Sequence, residues 1–164
     1  MAVWFGADLH LGHNNIHKHR DQFDSVESHD EYLLDMLSWK VGKNSPIYLL
    51  GDICFTHEAL ASLASLNTHN NIKIILGNHD TDRGIRVLDW VNAGFTDLHS
   101  LVKYKEFYLS HCPIHPDELR GRVNIHGHSH DYKVSDSRYV GVSMEQTDYN
   151  LISLESIRRA LHEK

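Results

Sequence analysis

The sequence predicts an α/β fold, in which short buried strands alternate with amphipathic helices and end in polar turns. The first observation is a set of apolar runs too short for helices, such as Ile47-Tyr48-Leu49-Leu50. The second is the helical spacing of apolar residues between these runs. The third is that carboxylates, imidazoles or an amide directly follow the runs, where ligands bind in open α/β folds. The length of 164 residues suits one domain, which we predict to span residues 1–164.

The first part of the chain predicts a strand and then a helix. Residues 2–7 form an apolar run that is typical of a buried strand, and Asp8-Leu9-His10 follows it. Residues 28–31 match a capping box, and apolar residues continue at helical spacing as far as Val41. We therefore predict a packing helix over this stretch.

The middle of the chain predicts two more strands that end in polar turns. A loop over residues 43–46 leads into the strand 47–50, which ends in Gly51-Asp52. The β-branched run 72–76 predicts the next strand, and Gly77-Asn78-His79-Asp80 follows it directly. Gly, Asn and Asp are also ordinary turn residues, so this cluster taken alone has a purely structural alternative.

Helices are predicted after each of these two strands. Thr56 is a suitable cap for the first, and Thr81 or Asp82 for the second, which should end near Gly94. The expected inward faces are Leu60, Leu63 and Leu66 in the first helix and Ile85, Leu88 and Val91 in the second.

The last part of the chain predicts several short strands and a final helix. The predicted elements are strands 97–102, 106–109, 123–125 and 139–142, a loop over 114–121, and a terminal helix from Ser153. The second of these strands ends in Ser110-His111-Cys112-Pro113, and the third ends in His126-Gly127-His128-Ser129-His130. Polar metal-ligand types therefore follow strands here too.

Composition limits the class of protein. The net charge of −6 argues against a basic nucleic-acid surface, although bound cations could still attract a nucleotide. No apolar run is long enough to span a membrane, and the first eight residues lack the basic segment of a signal peptide. Two cysteines cannot build a disulfide framework, so we expect a cytoplasmic protein that has no membrane partner.

The 15 histidines are the unusual feature of the composition, and several follow predicted strands. The residues in these positions are Asp8 with His10, Asp52, Asn78 with His79, His111, and His128 with His130. Each could be a turn former or a surface group, but five such coincidences favour a common site. Carboxylate, imidazole and amide ligands together suit Mn²⁺, Fe²⁺, Zn²⁺ or Ni²⁺ better than Ca²⁺. They are too many for one ion, so two ions bridged by a carboxylate are expected.

These blocks, taken in order, resemble the five motifs of the calcineurin-like metallophosphoesterases and span nearly the whole chain. The stretches 8–15 and 109–113 resemble a small bacterial and phage branch without large insertions or a cap. The resemblance implies a four-layer α-β-β-α sandwich of two mixed β-sheets flanked by helices, with the site at one edge. The segment 143–150 departs from the family by being more polar.

The resemblance also implies a role for each site residue. Asp8, His10 and His130 would hold one divalent ion, Asn78, His111 and His128 the other, and Asp52 would bridge them. Mn²⁺ is the first choice, with Fe²⁺, Zn²⁺ or Ni²⁺ as alternatives. His79 would be the general acid, oriented by Asp80, while a metal-bound hydroxide attacks the phosphorus. His13 and Asn15 would contact the substrate phosphate.

We therefore expect a metal-dependent phosphodiesterase that acts on a small phosphoester or nucleotide. A phosphomonoesterase or nucleotide pyrophosphohydrolase with the same site is the alternative, and a nuclease is disfavoured by the acidic balance. A non-catalytic scaffold of the same fold ranks lower because the ligand set and His79 are intact. Cys54 and Cys112 are expected to be packing residues, and His126 either packs inward or supports a ligand. The oligomeric state is left open.

Overall fold

The computed structural model of the protein describes residues 2–41, 45–69 and 71–163, so the first half of the predicted loop 43–46 lies outside the described residues. The strands are β1 (Trp4–Gly6), β2 (Ile47–Leu50), β3 (Ile72–Ile75), β4 (Leu98–His99), β5 (Leu101–Tyr104), β6 (Phe107–Ser110), β7 (Val123–His126), β8 (Tyr139–Gly141) and β9 (Ile152–Ser153). The α-helices are α1 (Val26–Val41), α2 (His57–Leu66), α3 (Val87–Asn92) and α4 (Leu154–His162).

The strands form two mixed sheets. The first has the order β4-β3-β2-β1-β9, with β9 antiparallel to β1 and the other neighbours parallel. The second has the order β5-β6-β7-β8, with β5 antiparallel to β6 and the rest parallel. The carboxyl ends of β1, β2 and β3 therefore meet at one edge, as do those of β6 and β7. These ends are followed by the polar blocks of the sequence.

Two apolar clusters define the layers. The first lies between one face of the first sheet and the helices, with Leu33 and Leu37 from α1, Leu63 from α2 and Trp90 from α3. The second lies between the sheets, where Phe5, Leu50 and Ile75 share a cluster with Phe107, Leu109 and Ile125. Burial of both faces explains why the strands of the first sheet are continuous apolar runs in the sequence. The predicted α/β fold with two mixed sheets is confirmed.

The outer face of the second sheet differs from the expected helical layer. The buried Asn124 accepts a hydrogen bond from the backbone N–H of Ile114 at 2.9 Å, and the Tyr139 hydroxyl donates to the Ile114 carbonyl at 2.6 Å. A loop therefore covers this face, because its polar side chains are satisfied by loop backbone. Helix α4 instead packs Leu154 and Ile157 into the cluster between the sheets.

The predicted strand 97–102 is in fact two strands of different sheets. β4 pairs with β3 in the first sheet, and β5 pairs with β6 in the second, with Ser100 between them. The turn between β5 and β6 contains Lys105, whose φ of 53° lies in the left-handed region. The short stretch 97–102 has the length of a single strand, and its residue pattern does not reveal a change of sheet at Ser100, which is why the sequence predicted one strand here.

Helix α3 is shorter than predicted and turns another face inward. It begins at Val87, where Arg86 precedes it and donates its backbone N–H to the Asp89 carboxylate at 2.7 Å. Trp90 is fully buried, whereas Leu88 and Val91 are 57% and 43% exposed. The Trp90 indole donates to the Asp80 carbonyl at 3.1 Å, which fixes the rotation of the helix.

Helix α1 begins before the predicted capping box. Ser25 and Ser28 each accept the other's backbone N–H through their hydroxyls, at 3.1 Å in both directions. The predicted cap at Thr56 is confirmed, since its hydroxyl accepts the N–H of Ala59. Ser153, where the terminal helix was predicted to start, accepts the N–H of Ser156 in the same way. No helix among the described residues is both long and apolar enough to cross a membrane.

Candidate metal centre

A first group of ligand types meets where β1 ends. The ligand atoms of Asp8, His10 and His130 all lie within 4.8 Å of one another. Nε2 of His10 is 3.9 Å from Oδ1 of Asp8, and Nε2 of His130 is 4.0 Å from the same oxygen. This spacing leaves room for one cation that all three side chains could share.

A second group shares Asp8 with the first. The ligand atoms of Asp8, Asp52 and His111 also lie within 4.8 Å of one another. Nε2 of His111 is 2.9 Å from Oδ1 of Asn78 and 3.2 Å from Nδ1 of His128. All seven predicted ligands are therefore brought to one edge of the two sheets.

Asp52 belongs to the second group and also approaches the first. Its Oδ2 is 3.9 Å from Nε2 of His10 and 3.3 Å from Nε2 of His111. Its Oδ1 accepts the backbone N–H of His79 at 2.9 Å, which fixes the carboxylate plane. Asp52 thus occupies the position that a bridging carboxylate requires.

Two buried polar atoms at the centre have no hydrogen-bond partner within the described chain. They are Oδ1 of Asp8 and Nε2 of His10. Leaving such atoms unpaired costs about 1–3 kcal/mol each, and a bound cation would satisfy both. Burial and the charge of Arg20 lower the pKa of His10 to about 3, so its imidazole is neutral, as a metal ligand must be. Burial raises the pKa of Asp8, which a nearby cation would oppose. The residues fit a divalent ion.

Hydrogen bonds orient two of the imidazoles toward the centre. Nδ1 of His111 donates to the Leu50 carbonyl at 2.8 Å, which leaves the lone pair on Nε2. Nδ1 of His130 bonds to the Glu145 carboxylate at 3.1 Å, which leaves Nε2 facing Asp8. Carbonyl and carboxylate partners of this kind orient metal-binding histidines in other proteins.

Five predicted ligands have left-handed backbone conformations. Their φ values are 59° for Asp8, 56° for His10, 52° for Asp52, 68° for His128 and 45° for His130. Such angles are uncommon for residues other than glycine, although Asp and His adopt them more often than most. Residues held in sparsely populated regions cluster at functional sites, so these angles independently indicate function at this edge.

Two glycines let the loops approach the ligands. A Cβ at Gly77 would collide with the Asp52 side chain, and one at Gly51 would collide with the imidazole of His111. Gly51 also has a φ of 86°, which favours glycine in any surroundings. The Gly51-Asp52 and Gly77-Asn78 pairs are therefore required by the packing of the centre.

Arg20 holds the backbone of the first group, a role that no pattern in the sequence indicated. Its side chain is buried, and its guanidinium donates to the carbonyls of Asp8 at 2.6 Å and Leu9 at 3.1 Å. It also donates twice to Glu145, at 2.8 and 2.9 Å. The Arg20 side chain thus connects the left-handed turn at Asp8 with Glu145, which orients His130.

Glu145 is the second residue that sequence reasoning missed. Burial alone would raise its pKa, but the hydrogen bond from His130 and the charge of Arg20 lower the pKa to about 2. It is therefore ionised at neutral pH and can support the imidazole of His130. The available signal was the unusual polarity of segment 143–150, which contains Glu145.

The structure corrects the role predicted for Asp80. This fully buried carboxylate accepts the backbone N–H groups of Asp52, Ile53, Cys54 and Gly77, at 2.9, 2.7, 3.4 and 2.7 Å. Both oxygens are used in this way, so Asp80 fixes the loop after β2 and does not orient His79. Adjacency in the turn suggested the wrong partner.

His79 lies beside the centre and outside both ligand groups. Its Nδ1 bonds to Asp82 at 2.8 Å, so Asp82 takes the orienting role predicted for Asp80. Its ring centroid is 6.4 Å from that of His10, and about a third of its side chain is exposed, 32%. This position suits a group that meets a substrate.

The other predicted residues lie around the centre. His13 lines two clefts next to it and Asn15 lines one of them, and their contact with a substrate stays a prediction. His126 and Cys54 are buried, which agrees with packing. Cys112 is exposed, and its sulfur lies within 4.8 Å of ring nitrogens of His111 and His128, so it is not a buried packing residue as predicted.

Comparisons with known proteins give relatives among phage proteins. No known protein-family model matches the chain. A crystal structure of a protein of unknown function from Aquifex aeolicus aligns with a TM-score of 0.71 and 21% identity, over 97% of this chain and 98% of that chain. That likeness shows a shared fold. The Gene 66 protein of Mycobacterium phage D29 is 26% identical over 194 residues, covering 98% of this chain and 96% of the phage protein.

The Gene 66 protein of Mycobacterium phage L5 is more similar in sequence. It is 30% identical over 167 residues, which cover 78% of this chain and 77% of the phage protein. Identity at this level over most of both chains shows common descent. The chain therefore belongs to the family of the mycobacteriophage Gene 66 proteins.

Proposed function

We propose that this protein is a phosphoesterase that uses two divalent metal ions, and that its fold is of the calcineurin-like type. The observation that carries the proposal is the position of Asp52 between His10 and His111, at 3.9 and 3.3 Å. A carboxylate in this position lets two ions share one ligand. The left-handed angles of Asp8 and Asp52 and the unpaired oxygen of Asp8 support the same conclusion.

The proposed ligand sets rest on the first group and on the contacts that His111 makes with Asn78 and His128. Asp8, His10 and His130 would hold one ion, and Asn78, His111 and His128 the other, with Asp52 between them. When bound, such a pair of ions polarises a phosphoryl group and lowers the pKa of water enough to supply a nucleophile. Mn²⁺ fits this mixed set of oxygen and nitrogen ligands, with Fe²⁺, Zn²⁺ and Ni²⁺ as alternatives.

His79 would transfer the proton. An imidazolium whose Nδ1–H is held by the Asp82 carboxylate presents its Nε2–H to the leaving oxygen. The carboxylate stabilises the protonated ring in the same way as in other acid–base pairs. Because Asp52 accepts the backbone N–H of His79, the acid and the bridging carboxylate have a fixed relative position.

Exposure of the centre favours a diester substrate. The side chain of His130 is 41% exposed and that of His79 is 32% exposed, so both groups can be reached from solvent. An open site accommodates the two arms of a phosphodiester, whereas a monoester suits an enclosed pocket. Hydrolysis of monoesters or of nucleotide phosphoanhydrides by the same residues is the second candidate.

The test is a hydrolysis screen of the Mn²⁺-loaded protein. The substrates are bis-p-nitrophenyl phosphate, p-nitrophenyl phosphate, a cyclic nucleotide and nucleoside di- and triphosphates. We expect turnover of the diester that chelation abolishes and Mn²⁺ restores. The matched control is Asp52→Asn, which keeps the shape of the side chain and removes its charge. Two bound ions with no hydrolysis of any substrate would favour a binding protein of the same fold.

A further inference from the structure

A cleft beside His79 has the chemistry of an anion site. It has a volume of about 220 Å³ and is lined by residues 12–15, by Phe55 and Thr56, and by Arg83. None of these lining residues is acidic, although the whole chain has a net charge of −6. The cleft lies outside both ligand groups of the metal centre.

The side chains of this cleft present hydrogen-bond donors. Nδ1 of His13 accepts the backbone N–H of Asn15 at 3.3 Å, so the ring proton of the neutral form is on Nε2. Oγ1 of Thr56 accepts the N–H of Ala59 at 3.1 Å, which leaves its own O–H to donate. Both side chains therefore offer a proton to a ligand.

Arg83 adds the positive charge. Its guanidinium makes no hydrogen bond within the part of the chain that the structure describes, and its nearest carboxylate contact is 3.5 Å from Nε to Asp82. The side chain is 55% exposed, so its planar fork of N–H groups is available to a ligand. Such a fork matches the geometry of a phosphate.

Phe55 connects this cleft to the metal centre. Its ring centroid is 4.9 Å from those of His10 and His13 and 5.5 Å from that of His79. The guanidinium carbon of Arg83 is 5.8 Å from the same centroid. One aromatic ring thus lies beside a predicted metal ligand, the proposed acid, His13 and Arg83, so the cleft is continuous with the centre.

A neighbouring cleft has the opposite character. It has a volume of about 380 Å³, and its lining includes the carboxylates of Asp131 and Glu145 next to His10 and His130. Arg20 pairs with the Glu145 carboxylate, and Asp131 adds a further negative charge there, whereas no acidic residue lines the cleft that contains Arg83. Burial lowers the pKa of His13, and the nearby His19 and Arg83 side chains lower it further, an effect that an anion in the cleft would oppose.

We propose that the cleft of residues 12–15, Thr56 and Arg83 binds a second phosphate, carried by the leaving half of the substrate. This inference rests on the proposed function, because His79 marks the side from which the leaving group departs. In hydrolysis, water supplies oxygen to the scissile phosphorus, the P–O bond to the leaving group breaks, and His79 protonates the departing oxygen. The second phosphate leaves with that half, and in a phosphoanhydride it keeps the former bridging oxygen, which takes the proton. The substrates are then phosphoanhydrides such as nucleoside diphosphates, or diesters with a further phosphate.

The test compares Arg83→Gln with Arg86→Gln. Arg86 is a matched control because it is exposed, lies three residues further on and pairs with Asp89 instead of facing the cleft. Loss of a charged hydrogen-bond donor should raise KM about tenfold or more for a nucleoside diphosphate in Arg83→Gln, with little change in kcat. KM for bis-p-nitrophenyl phosphate, which has no second phosphate, should stay the same in both variants.

A binding measurement separates this inference from the proposed function. Pyrophosphate titrated into the metal-free wild-type protein should shift the NMR signals of His13 and of the Arg83 side chain, and Arg83→Gln should abolish the shift at His13. A shift at His13 in a protein that hydrolyses none of the substrates would support the anion site and contradict the proposed phosphoesterase activity. Hydrolysis with equal KM values in Arg83→Gln and Arg86→Gln would contradict the anion site and would be consistent with the phosphoesterase activity. A nucleoside diphosphate and a 5′-phosphorylated dinucleotide, compared in wild type, distinguish the two sources of the second phosphate.

Discussion

Replacing Asp80 with Asn tests whether this carboxylate fixes the loop after β2 or orients His79. The carboxylate accepts four backbone N–H groups, two at each oxygen: Asp52 and Gly77 at one, Ile53 and Cys54 at the other. An asparagine has one oxygen, so its NH₂ group must face one of these two pairs. Two buried donors then lose their acceptor.

The size of the effect follows from this count. A buried donor left unpaired costs about 1–3 kcal/mol, so two of them cost roughly 2–6 kcal/mol. Burial raises the pKa of Asp80, which shows that its charge is itself penalised, and the neutral variant escapes that penalty. We therefore expect the free energy of unfolding to fall by about 2–4 kcal/mol, a large part of the roughly 5–15 kcal/mol typical of a domain.

The assay is equilibrium unfolding in urea, followed by circular dichroism, with the metal-free protein. Asp136→Asn is the control, because Asp136 accepts one backbone N–H and pairs with Arg138 in an exposed loop. That substitution should leave the free energy of unfolding close to the wild-type value. If Asp80→Asn were as stable as the control and lost only catalytic rate, the carboxylate would act through His79, and the assignment to the loop would be refuted. Asp82→Asn should show the rate effect instead.

Three further predictions concern the centre itself. Asp52→Asn should lose at least one of two bound ions and nearly all activity while keeping the fold, and metal analysis showing wild-type content would exclude Asp52 as the bridge. His79→Ala should keep both ions and slow hydrolysis by about 10²–10⁴-fold for alkoxide leaving groups, with a much smaller loss for p-nitrophenolate. An equal loss for both leaving groups would mean that His79 stabilises the phosphoryl charge. Glu145→Gln should have a lower free energy of unfolding than wild type at neutral pH. This difference should shrink as the pH falls from about 4.5 toward about 2, because the lowered pKa of Glu145 contributes its full stabilisation only above that range. A gap in the free energy of unfolding that stayed constant down to pH 2 would show that the charge of Glu145 is not involved.

The sequence was sufficient to locate the edge at which the site forms. The pairing of β1 with β2 sets Gly6 beside Leu49, and the pairing of β2 with β3 sets Leu49 beside Ile74, so the polar residues after these strands lie at one edge. Strand ends and residue chemistry are both local properties, and this is why the seven ligand types could be named in advance. Their assembly needed only the rule that carboxyl ends of parallel strands share an edge.

Residues that act over long distances in the chain were not predictable in this way. Arg20 and Glu145 are 125 positions apart and meet only because the turn after β1 and the segment after β8 lie side by side. Trp90 is the inward residue of α3, and its indole donates a hydrogen bond to the Asp80 carbonyl. A pattern of apolar residues cannot predict such a contact. The pattern favoured Leu88 and Val91, which are exposed. Periodicity reports a tendency to bury a face, while specific polar contacts decide which face is buried.

The backbone of the centre is constrained mainly by the protein itself. A residue in a sparsely populated conformation costs about 1–3 kcal/mol and persists only where its surroundings impose it. For Asp8 and His10 the constraint comes from their N–H groups, which donate to the carbonyls of Gly51 and Asp52 at 2.9 and 3.0 Å, and from Arg20, which binds the Asp8 carbonyl. Asp80 does the same for the loop that carries Asp52. These hydrogen bonds do not involve Oδ1 of Asp8 or Nε2 of His10, so a cation of the kind proposed above would find these oxygen and nitrogen atoms unpaired and already in position.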